Sequence, residues 1–313
     1  MLWLIGAGPM AVEYGRVLNA LGRSFICITR SERSARAFAK QIQAPIYSGG
    51  LKAFLAKQPE MPEKVIVATG IEVLADCTLA LIAYGVKQLL VEKPAGVDLA
   101  TIEGLEHAAA GHCAQVFVAY NRRFYESVLY AEKLLNEDGG IKSLVYELTE
   151  WSHLIADHPF DNKVKHNWFL ANTSHVVDLA FYFGGRPTSW SSFTAGAVDW
   201  HHRSANFAGA GLTQKGALFS YHGNWQAPGR WSLELLTQKR RLIFRPMEQL
   251  QVQLLGSVEI TPVEMTYAYD QQFKPGVYLQ TANFLEGQFA RHCGLAEHVI
   301  NARLYCKMAD YEQ

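Results

Sequence analysis

The stretch Leu89-Leu90-Val91-Glu92-Lys93-Pro94 decides how this chain folds. An apolar run without alternation is typical of a parallel strand that is buried on both faces. The strand is predicted to end at Pro94, which has no N–H to donate and disfavours a helical conformation for the residue before it. Lys93 is therefore predicted at the carboxyl end of a parallel strand, where ligands bind in open α/β sheets.

Lys93 is a candidate catalytic residue because a partly desolvated amine can transfer protons near neutral pH. A solvated lysine at a strand end is the alternative, and the tripeptide alone does not separate the two interpretations.

The composition predicts an ordinary soluble protein with two domains. The chain has 313 residues, of which 49% are hydrophobic, and this length exceeds what one small core requires. Basic and acidic residues each number 29, and zero net charge argues against bulk binding to nucleic acid or to a membrane surface. A first strand at Leu2 leaves no room for a signal peptide. The five cysteines are widely spaced, which favours reduced thiols and a cytoplasmic location.

The chain opens with a dinucleotide-binding pattern, Gly6-Ala7-Gly8-Pro9-Met10-Ala11, between an apolar strand and a helix that runs through Leu21. In such a pattern Gly6 permits the tight turn, Gly8 lets the backbone approach a pyrophosphate, and the small Ala11 lets helix and strand pack. The helix N-terminus presents N–H groups and a positive dipole end to the phosphates.

The end of the second predicted strand, Phe25–Ile28, favours NADP over NAD. Enzymes that use NAD usually place an acidic residue about 20 positions past the glycines to bind the ribose 2′-hydroxyl. This chain instead has Thr29-Arg30-Ser31 followed by Arg33, and two cations with a hydroxyl suit a 2′-phosphate. The alternative is a solvated helix start with Ser31 as the N-cap.

Strands and helices alternate through residue 119, which predicts a doubly wound parallel sheet of the α/β Rossmann class. Further strands are predicted at Lys64–Ala68, in the stretch Leu89-Leu90-Val91-Glu92-Lys93-Pro94 and at Gln115–Ala119. We therefore predict a dinucleotide-binding domain over residues 1–120 and a second domain over residues 121–313. The predicted cofactor contacts, most of them at carboxyl ends of strands, are Gly6, Gly8, Pro9, Met10, Thr29, Arg30, Ser31, Arg33, Thr69, Glu92, Lys93 and Asn121.

Three segments together resemble the glucose–fructose oxidoreductase / inositol dehydrogenase / rhizopine catabolism (Gfo/Idh/MocA) family. They are the glycine turn, Val91-Glu92-Lys93-Pro94 and Tyr120-Asn121-Arg122-Arg123-Phe124. The resemblance implies a nicotinamide-binding Rossmann domain followed by an α+β domain with a large open antiparallel sheet. It also implies hydride transfer between NAD(P) and a hydroxyl or carbonyl carbon of a sugar or cyclitol, with Lys93 touching both the nicotinamide ribose and the substrate hydroxyl.

The second half is predicted to be an α+β domain with segregated strands and helices. Strands are expected at Ile141–Trp151 and repeatedly from Pro187 to about Pro262, with helices near Thr173–Phe183, Leu279–His292 and Leu295–Met308. Six of the seven tryptophans lie in this half. We expect most of them to serve an oligomer contact on the sheet face, and hence a homo-oligomer.

His175 is the candidate catalytic partner of Lys93. Asn172 or Thr173 is predicted to N-cap a helix, which places His175 in its first turn and on one face with Asp178. The positive end of the helix dipole favours a neutral imidazole, which can accept a proton. A satisfied core histidine in a capped helix is the alternative, but members of the family carry a histidine here.

The chain departs from the family pattern at Ala171, where many relatives have an aspartate on the substrate hydroxyl. Asn172, the next residue, can bind a hydroxyl but is no base, so the proton path is in question. Three readings stay open: an active sugar dehydrogenase or reductase, a dinucleotide-binding sensor or regulator without turnover, and a redox-assisted glycosidase.

A polar loop, His153–Trp168, is predicted to contribute to sugar binding. A metal site in this loop is disfavoured, because its histidine and carboxylate spacing matches no known ligand pattern. The residues predicted to bind substrate are Arg122, His153, His158, Trp168, Asn172 and Asp178.

Overall fold

Residues 1–311, which the computed structural model describes, form two compact units. The first comprises Met1–Phe124 with Tyr269–Ile300, and the second comprises Tyr125–Ala268 with the residues from Asn301 onward. The predicted boundary was at residue 120; the first unit continues through Phe124 and also takes in Tyr269–Ile300.

The first unit begins with β1 (Leu2–Ile5), α1 (Pro9–Ala20), β2 (Phe25–Thr29), α2 (Glu32–Ala39), β3 (Ile46–Ser48), α3 (Leu51–Leu55), β4 (Val65–Val67), α4 (Ile71–Tyr84), β5 (Gln88–Val91), α5 (Leu99–Gly111), β6 (Gln115–Val118) and a 3-10 turn (Asn121–Phe124). The second unit continues with α6 (Glu126–Glu137), β7 (Ser143–Glu147), α7 (Ser152–Asp157), α8 (Asn162–His166), a π-helical segment (Phe169–Thr173), α9 (Ser174–Gly184), β8 (Pro187–Ala195), β9 (Asn206–Thr213), β10 (Leu218–Asn224), β11 (Ser232–Leu236), β12 (Arg240–Phe244), β13 (Gln251–Leu254) and β14 (Thr261–Pro262). The chain ends with α10 (Ala268–Gln272), α11 (Val277–Glu286), β15 (Cys293–Gly294) and α12 (Leu295–Ala309).

The sheet of the first unit has the Rossmann strand order. Within the described residues its strands run β3-β2-β1-β4-β5-β6 and then β15. All pairs are parallel except β15 with β6. The predicted doubly wound parallel sheet is thus confirmed, and the order reverses beside β1, where such folds bind dinucleotides.

The segment Tyr269–Ile300 joins the first unit because it completes that unit's core. On α11, Val277, Phe284 and Leu285 are buried among the side chains of α1 and β1. Lys64 adds a polar link, since its buried ammonium donates to the carbonyls of Phe284 (2.7 Å) and Leu285 (2.8 Å). These are among the last carbonyls of α11, which lack helical partners and carry the negative end of its dipole.

The second unit is built on a large, mostly antiparallel sheet, as predicted. Over the described part of the chain its order is β14-β13-β12-β11-β7-β10-β9-β8, and only the β7–β10 pair among its neighbours is parallel. Alternation along β10 shows the two faces, because Phe219 and Tyr221 are buried whereas Leu218 and Ser220 are exposed. The helix α9 contacts β7 and β11.

Three local expectations for the second unit were wrong. The predicted strand Ile141–Trp151 is shorter and spans only Ser143–Glu147. The predicted loop His153–Trp168 contains α7 and α8, which Ile155 and Val164 anchor by burial. Most of the tryptophans are not exposed for an oligomer contact: Trp168, Trp200, Trp225 and Trp231 are buried.

The buried tryptophans instead join aromatic clusters inside the second unit. Trp200 stacks on Trp225 with ring centroids 5.4 Å apart, and Trp168 meets Trp200 edge to face at 5.9 Å. Aromatic side chains bury large areas and prefer such offset or edge contacts, which sequence spacing does not reveal.

All five cysteines are free thiols. No helix among the described residues has the length and apolar character needed to cross a membrane.

The glycine turn after β1 generates a stability prediction. Gly6 has φ +111°, and an added Cβ would lie 2.3 Å from the backbone oxygen of Ala68. Gly6→Ala should therefore lower the free energy of unfolding, by about 1–3 kcal/mol from the backbone conformation alone. Urea unfolding followed by circular dichroism measures this change.

Gly8→Ala is the matched control. Gly8 has φ −79°, and a Cβ there would meet no atom within 4 Å, so its free energy of unfolding should change by less than about 0.5 kcal/mol. Equal destabilisation by both variants would contradict the assignment of the close approach to Gly6.

Candidate active site

The glycine turn presents the open N-terminus of α1. Gly8 precedes α1 in an extended conformation, Pro9 occupies the first turn, and no side chain caps the helix. The Gly6 N–H donates to the Ile28 carbonyl at 2.9 Å, which fixes the turn against β2. Ala11 is fully buried between α1 and the sheet, as predicted for a small third residue. The exposed N–H groups are thus free of intrachain caps, as an anion site requires.

At the end of β2, the helix-start interpretation of Ser31 is confirmed. Its hydroxyl accepts a hydrogen bond from the Ser34 N–H at 3.2 Å and caps α2. The side chains of Arg30 and Arg33 are exposed. Neither makes a hydrogen bond or ion pair with the part of the chain that the structure describes, so both cations remain available to a ligand.

Lys93 lies in a tight turn just beyond β5. The strand ends at Val91, and the Ala95 N–H closes the turn by donating to the Glu92 carbonyl at 3.0 Å. The Lys93–Pro94 peptide bond is cis. The Pro94 carbonyl accepts from His298 Nε2 at 2.9 Å, so the far side of the turn is tied to α12.

The Glu92 carboxylate is held beneath this turn by Tyr14. The Tyr14 hydroxyl on α1 donates to Glu92 Oε1 at 2.7 Å. Burial raises the pKa of Glu92, whereas the Tyr14 hydrogen bond and the Lys93 charge act in the opposite direction. Burial also raises the pKa of Tyr14 well above its usual value, so this hydroxyl stays a donor. Sequence reasoning missed Tyr14, whose position on α1 shows only a core-facing aromatic.

In the second unit, His175 and Asp178 lie in α9 and are buried. The expected N-cap is wrong: neither Asn172 nor Thr173 caps α9, because the π-helical segment runs directly into it and Thr173 is already helical. Single π turns of this kind are frequent at functional sites. The side chains of Asn172 and Thr173 instead donate hydrogen bonds to another residue.

That partner is Glu150, which sequence reasoning missed. Its carboxylate is 2% exposed and accepts from Asn172 Nδ2 at 3.0 and 3.2 Å and from Thr173 Oγ1 at 2.7 Å. Arg230 Nη1 donates to Glu150 Oε2 at 2.9 Å. Burial raises the pKa of Glu150, while Arg230 and the two hydrogen-bonding side chains lower it.

The sequence did contain a signal for Glu150. In the predicted strand it shares a face with Leu144, Tyr146 and Leu148, which are buried core residues, and strand side chains two apart share a face. A carboxylate in such a row needs partners, because burying an unpaired charge is very costly. Arg230, in contrast, follows a Pro-Gly turn with no pattern that marks it.

Arg230 connects this carboxylate to His175 through aromatic rings. Its guanidinium carbon lies 4.1 Å from the ring centroid of Trp231 and 4.8 Å from that of Trp151. The Trp231 ring lies 5.9 Å from the His175 ring. We call Glu150, Asn172, Thr173 and Arg230 the Glu150 cluster; it unites one predicted substrate residue, Asn172, with three that were not predicted.

The other predicted site residues occupy different places. Asn121 donates through Nδ2 to the Pro275 carbonyl at 2.9 Å, which ties the 3-10 turn to the returning segment. His153 is exposed on α7. His158 is also exposed and stacks on Phe160, whose ring meets the buried Trp168 at 5.3 Å.

Two neighbouring arginines differ in burial. Arg122 is half-buried, whereas Arg123 is 2% exposed and pairs with Glu297 at 2.8 Å. Thr69 lies at the end of β4 and is half-buried.

Within residues 1–311, no group of three or more His, Cys, Asp or Glu side chains has the arrangement of a metal site.

Comparison with known families gives a match for the N-terminal part of the chain. Residues 2–120 match the family model described as oxidoreductase family, NAD-binding Rossmann fold, known as Gfo/Idh/MocA. The match covers the segment that carries the glycine turn and the Lys93 turn. The resemblance predicted from the glycine turn and from Glu92-Lys93-Pro94 is thereby confirmed. No curated protein sequence matches the chain.

Solved structures share the two-domain fold over nearly the whole chain. A levoglucosan dehydrogenase in complex with NADH and L-sorbose superposes with a TM-score of 0.78 at 17% identity, covering 99% of this chain and 95% of that chain. A UDP-N-acetylglucosamine 3-dehydrogenase from Acidithiobacillus ferrooxidans gives 0.73 at 15% identity, covering 98% and 95%. An oxidoreductase from Agrobacterium radiobacter, in complex with NAD+, L-tartaric acid and magnesium, gives 0.77 at 13% identity, covering 100% and 96%. At these identities the likeness establishes the fold.

The buried His298 behind the Lys93 turn generates a pH prediction. Burial lowers the pKa of His298 to about 4, whereas an unfolded histidine has a pKa of about 6.5. Between these values the unfolded chain binds a proton that the folded chain does not. His298 should therefore cause a loss of stability as the pH falls from about 6.5 toward about 4, on the order of 3 kcal/mol in all.

His298→Gln should flatten this part of the stability profile, because Gln Nε2 can still donate to the Pro94 carbonyl without titrating. Urea unfolding at several pH values across the window measures the slope. The control is His107→Gln on the exposed side of α5, which should leave the slope unchanged. An unchanged slope in His298→Gln would refute the prediction.

Proposed function

We propose that the chain is an NAD(P)-dependent oxidoreductase that moves a hydride between the nicotinamide and a hydroxyl or carbonyl carbon of a sugar or cyclitol. The observation that carries the proposal is the position of Lys93. It lies in a closed turn at the carboxyl edge of a family-matched Rossmann sheet, next to the half-buried Glu92. The dehydrogenase names of two structural neighbours support a sugar as substrate.

The glycine turn fits a dinucleotide. Space for a pyrophosphate lies over Gly8, where an added Cβ would meet nothing within 4 Å, and the uncapped start of α1 supplies N–H donors. When bound, the nicotinamide ring would accept or donate the hydride. The residues of the chain would hold the dinucleotide and manage the proton.

Lys93 and His175 are the proposed proton-handling residues. As a cation, Lys93 would stabilise the alkoxide that develops on the reacting oxygen. Neutral His175 would accept the hydroxyl proton. Asn172 would accept a hydrogen bond from a substrate hydroxyl through Oδ1, because its Nδ2 is committed to Glu150. Ala171 offers no carboxylate, and the acid that contacts its neighbour Asn172 is Glu150.

Lys93→Met should lower kcat by roughly 10²–10⁴, in line with the loss of acid–base catalysis, and should change the Kd for the dinucleotide little. His175→Ala should lower kcat by a similar factor and flatten the acidic limb of the pH–rate profile. Steady-state kinetics with isothermal titration of the dinucleotide separates the two quantities.

Lys87→Met is the matched control for Lys93, since Lys87 precedes β5 and its ammonium donates to the His112 carbonyl at 2.7 Å. It should leave kcat unchanged. Near-normal turnover by both Lys93→Met and His175→Ala would refute the assignment. Dinucleotide binding without turnover of any alcohol or ketone would favour the sensor reading, and retained NAD with glycoside cleavage would favour the glycosidase reading.

We propose NADP as the preferred dinucleotide, with NAD as a weaker ligand. Support comes from Arg30 and Arg33, two exposed cations at the end of β2. The single acid between them, Glu32, already accepts a hydrogen bond from the Ser48 hydroxyl. Two charge-assisted contacts at about 1.5–3 kcal/mol each would exceed a tenfold preference.

Replacing both Arg30 and Arg33 by Ala should reduce the affinity for NADP by at least about tenfold and leave the affinity for NAD nearly unchanged. Isothermal titration with both dinucleotides tests this. Arg36→Ala in the last turn of α2 is the control and should change neither affinity. Equal dissociation constants for NAD and NADP in the unmodified chain would contradict the proposal.

We also propose a homo-oligomer that forms through the sheet of the second unit. The buried tryptophans no longer support it, but the open face does. Phe193 is 70% exposed and Leu218 is 63% exposed, and strand pairing places both on one face with Val145 and small residues such as Ser220. A flat apolar face of this kind is more than a monomer usually leaves bare.

Leu218→Glu combined with Phe193→Glu should dissociate the oligomer, because two charges per face would be buried without partners. Light scattering at micromolar concentration reports the mass. Val258→Glu, at a 95% exposed loop position, should leave the mass unchanged. A monomeric unmodified chain would rule the proposal out.

A further inference from the structure

Arg230 is held more firmly than an exposed arginine usually is. Its Nη1 donates to the buried Glu150 carboxylate at 2.9 Å, and two indole rings lie within 4.8 Å of its guanidinium carbon. The backbone just before it is also fixed, because Trp151 Nε1 donates to the Gly229 carbonyl at 3.1 Å. Gly229 has φ +158°, and a Cβ there would lie 2.5 Å from Glu147 Oε1.

This guanidinium has unused donors. An arginine carries five N–H groups in a planar fork, and Glu150 is its single acceptor within the described residues. The side chain is still 42% exposed, so the remaining donors can reach a ligand. The neighbouring acid Glu147 does not compete for them, because it pairs with Arg245 at 2.8 Å.

The same carboxylate fixes an acceptor beside these donors. Asn172 Nδ2 and Arg230 Nη1 both lie within hydrogen-bonding distance of Glu150 Oε2, at 3.2 and 2.9 Å. An ionised carboxylate only accepts, so the Asn172 amide must direct its nitrogen toward Glu150. Its Oδ1 then points away from the carboxylate and can accept from a hydroxyl.

We propose that Arg230 binds an anionic group of the substrate, a carboxylate or a phosphate, while Asn172 accepts a hydrogen bond from a hydroxyl of the same molecule. The substrate class is therefore a sugar acid or sugar phosphate rather than a neutral sugar. This inference rests on the proposed function in one respect, that the ligand of the Glu150 cluster is the substrate.

The chemistry of the guanidinium favours an anion over a neutral hydroxyl. Its fork matches the two oxygens of a carboxylate or phosphate, and hydrogen bonds to charged groups are stronger than neutral ones. The net charge of the Glu150–Arg230 pair is zero, so specificity comes from the fixed donors rather than from long-range attraction. Trp151 and Trp231 shield the guanidinium from water on the sides they cover, which strengthens each contact.

Matched ligand pairs test the inference on the full chain with and without NAD+ or NADP+. D-Glucuronate is compared with D-glucose, and D-gluconate with D-sorbitol, while D-glucose 6-phosphate distinguishes a phosphate from a carboxylate. Isothermal titration and thermal shift measure binding without turnover. An acidic member should bind at least about tenfold more tightly than its neutral partner, and Arg230→Met should abolish this difference.

Two further variants keep the result interpretable. Arg230→Lys retains a cation for Glu150 and should fold normally, yet lose most of the preference because the fork is gone. Arg241→Met removes another partly exposed arginine, which pairs with Glu234 rather than with Glu147 or Glu150, and should leave the preference unchanged. Thermal unfolding of each variant confirms that it is folded.

Equal binding of acidic and neutral partners overturns the inference, as does a preference that persists in Arg230→Met and Arg230→Lys. Failure of every acid to bind overturns it as well. Acid-selective binding without any hydride transfer would leave it standing and remove the proposed function. Turnover of neutral sugars alone would overturn the inference and leave the proposed function standing.

Discussion

Parallel pairing of β1 with β4, and of β4 with β5, is the constraint on which the rest of the first unit depends. Because these strands run in one direction, Gly6, Thr69 and Lys93 all follow carboxyl ends at the same edge of the sheet. The approach is so close that Gly6 cannot carry a side chain against the Ala68 carbonyl. Strand pairing and the dinucleotide turn are therefore one feature of the fold.

Each unit contains a carboxylate that gathers polar groups, the half-buried Glu92 in the first unit and the buried Glu150 in the second. Glu92 receives the Tyr14 hydroxyl, and Glu150 receives an amide, a hydroxyl and a guanidinium. In both, burial favours the neutral acid and hydrogen-bond donors favour the carboxylate. Each acid holds a neighbour in position: Glu92 lies next to Lys93, and Glu150 orients Asn172 and Arg230.

Ala171 has no carboxylate, but its neighbour Asn172 contacts one, that of Glu150. A π turn replaces an ordinary helix start, and the side chains of Asn172 and Thr173 turn to Glu150 in the segment after β7 instead of capping α9. The acid beside this turn thus comes from outside the helix and lies behind an amide. An amide whose N–H groups face a carboxylate is a fixed acceptor, which suits it to bind a hydroxyl.

Local sequence signals predicted the Rossmann unit well. The glycine turn, the Ser31 N-cap and the strand end before Pro94 each depend on residues close in the chain, and each was found at or within a few residues of its expected position. The resemblance carried by the Glu92-Lys93-Pro94 stretch also held over residues 2–120. Such features follow from backbone restriction and hydrophobic period, which act over a few residues.

The tertiary structure alone decided the features that depend on distant residues. The return of α11 to the first core joins residues more than a hundred positions apart, such as Lys64 and Phe284. The burial of four tryptophans depends on which rings meet inside the second unit. The partnership of Glu150 with Arg230 joins the segment after β7 to a turn before β11, and only burial forces that carboxylate to find its donors. The sequence determined where the strands of the first unit end, and long-range packing determined which side chains meet there.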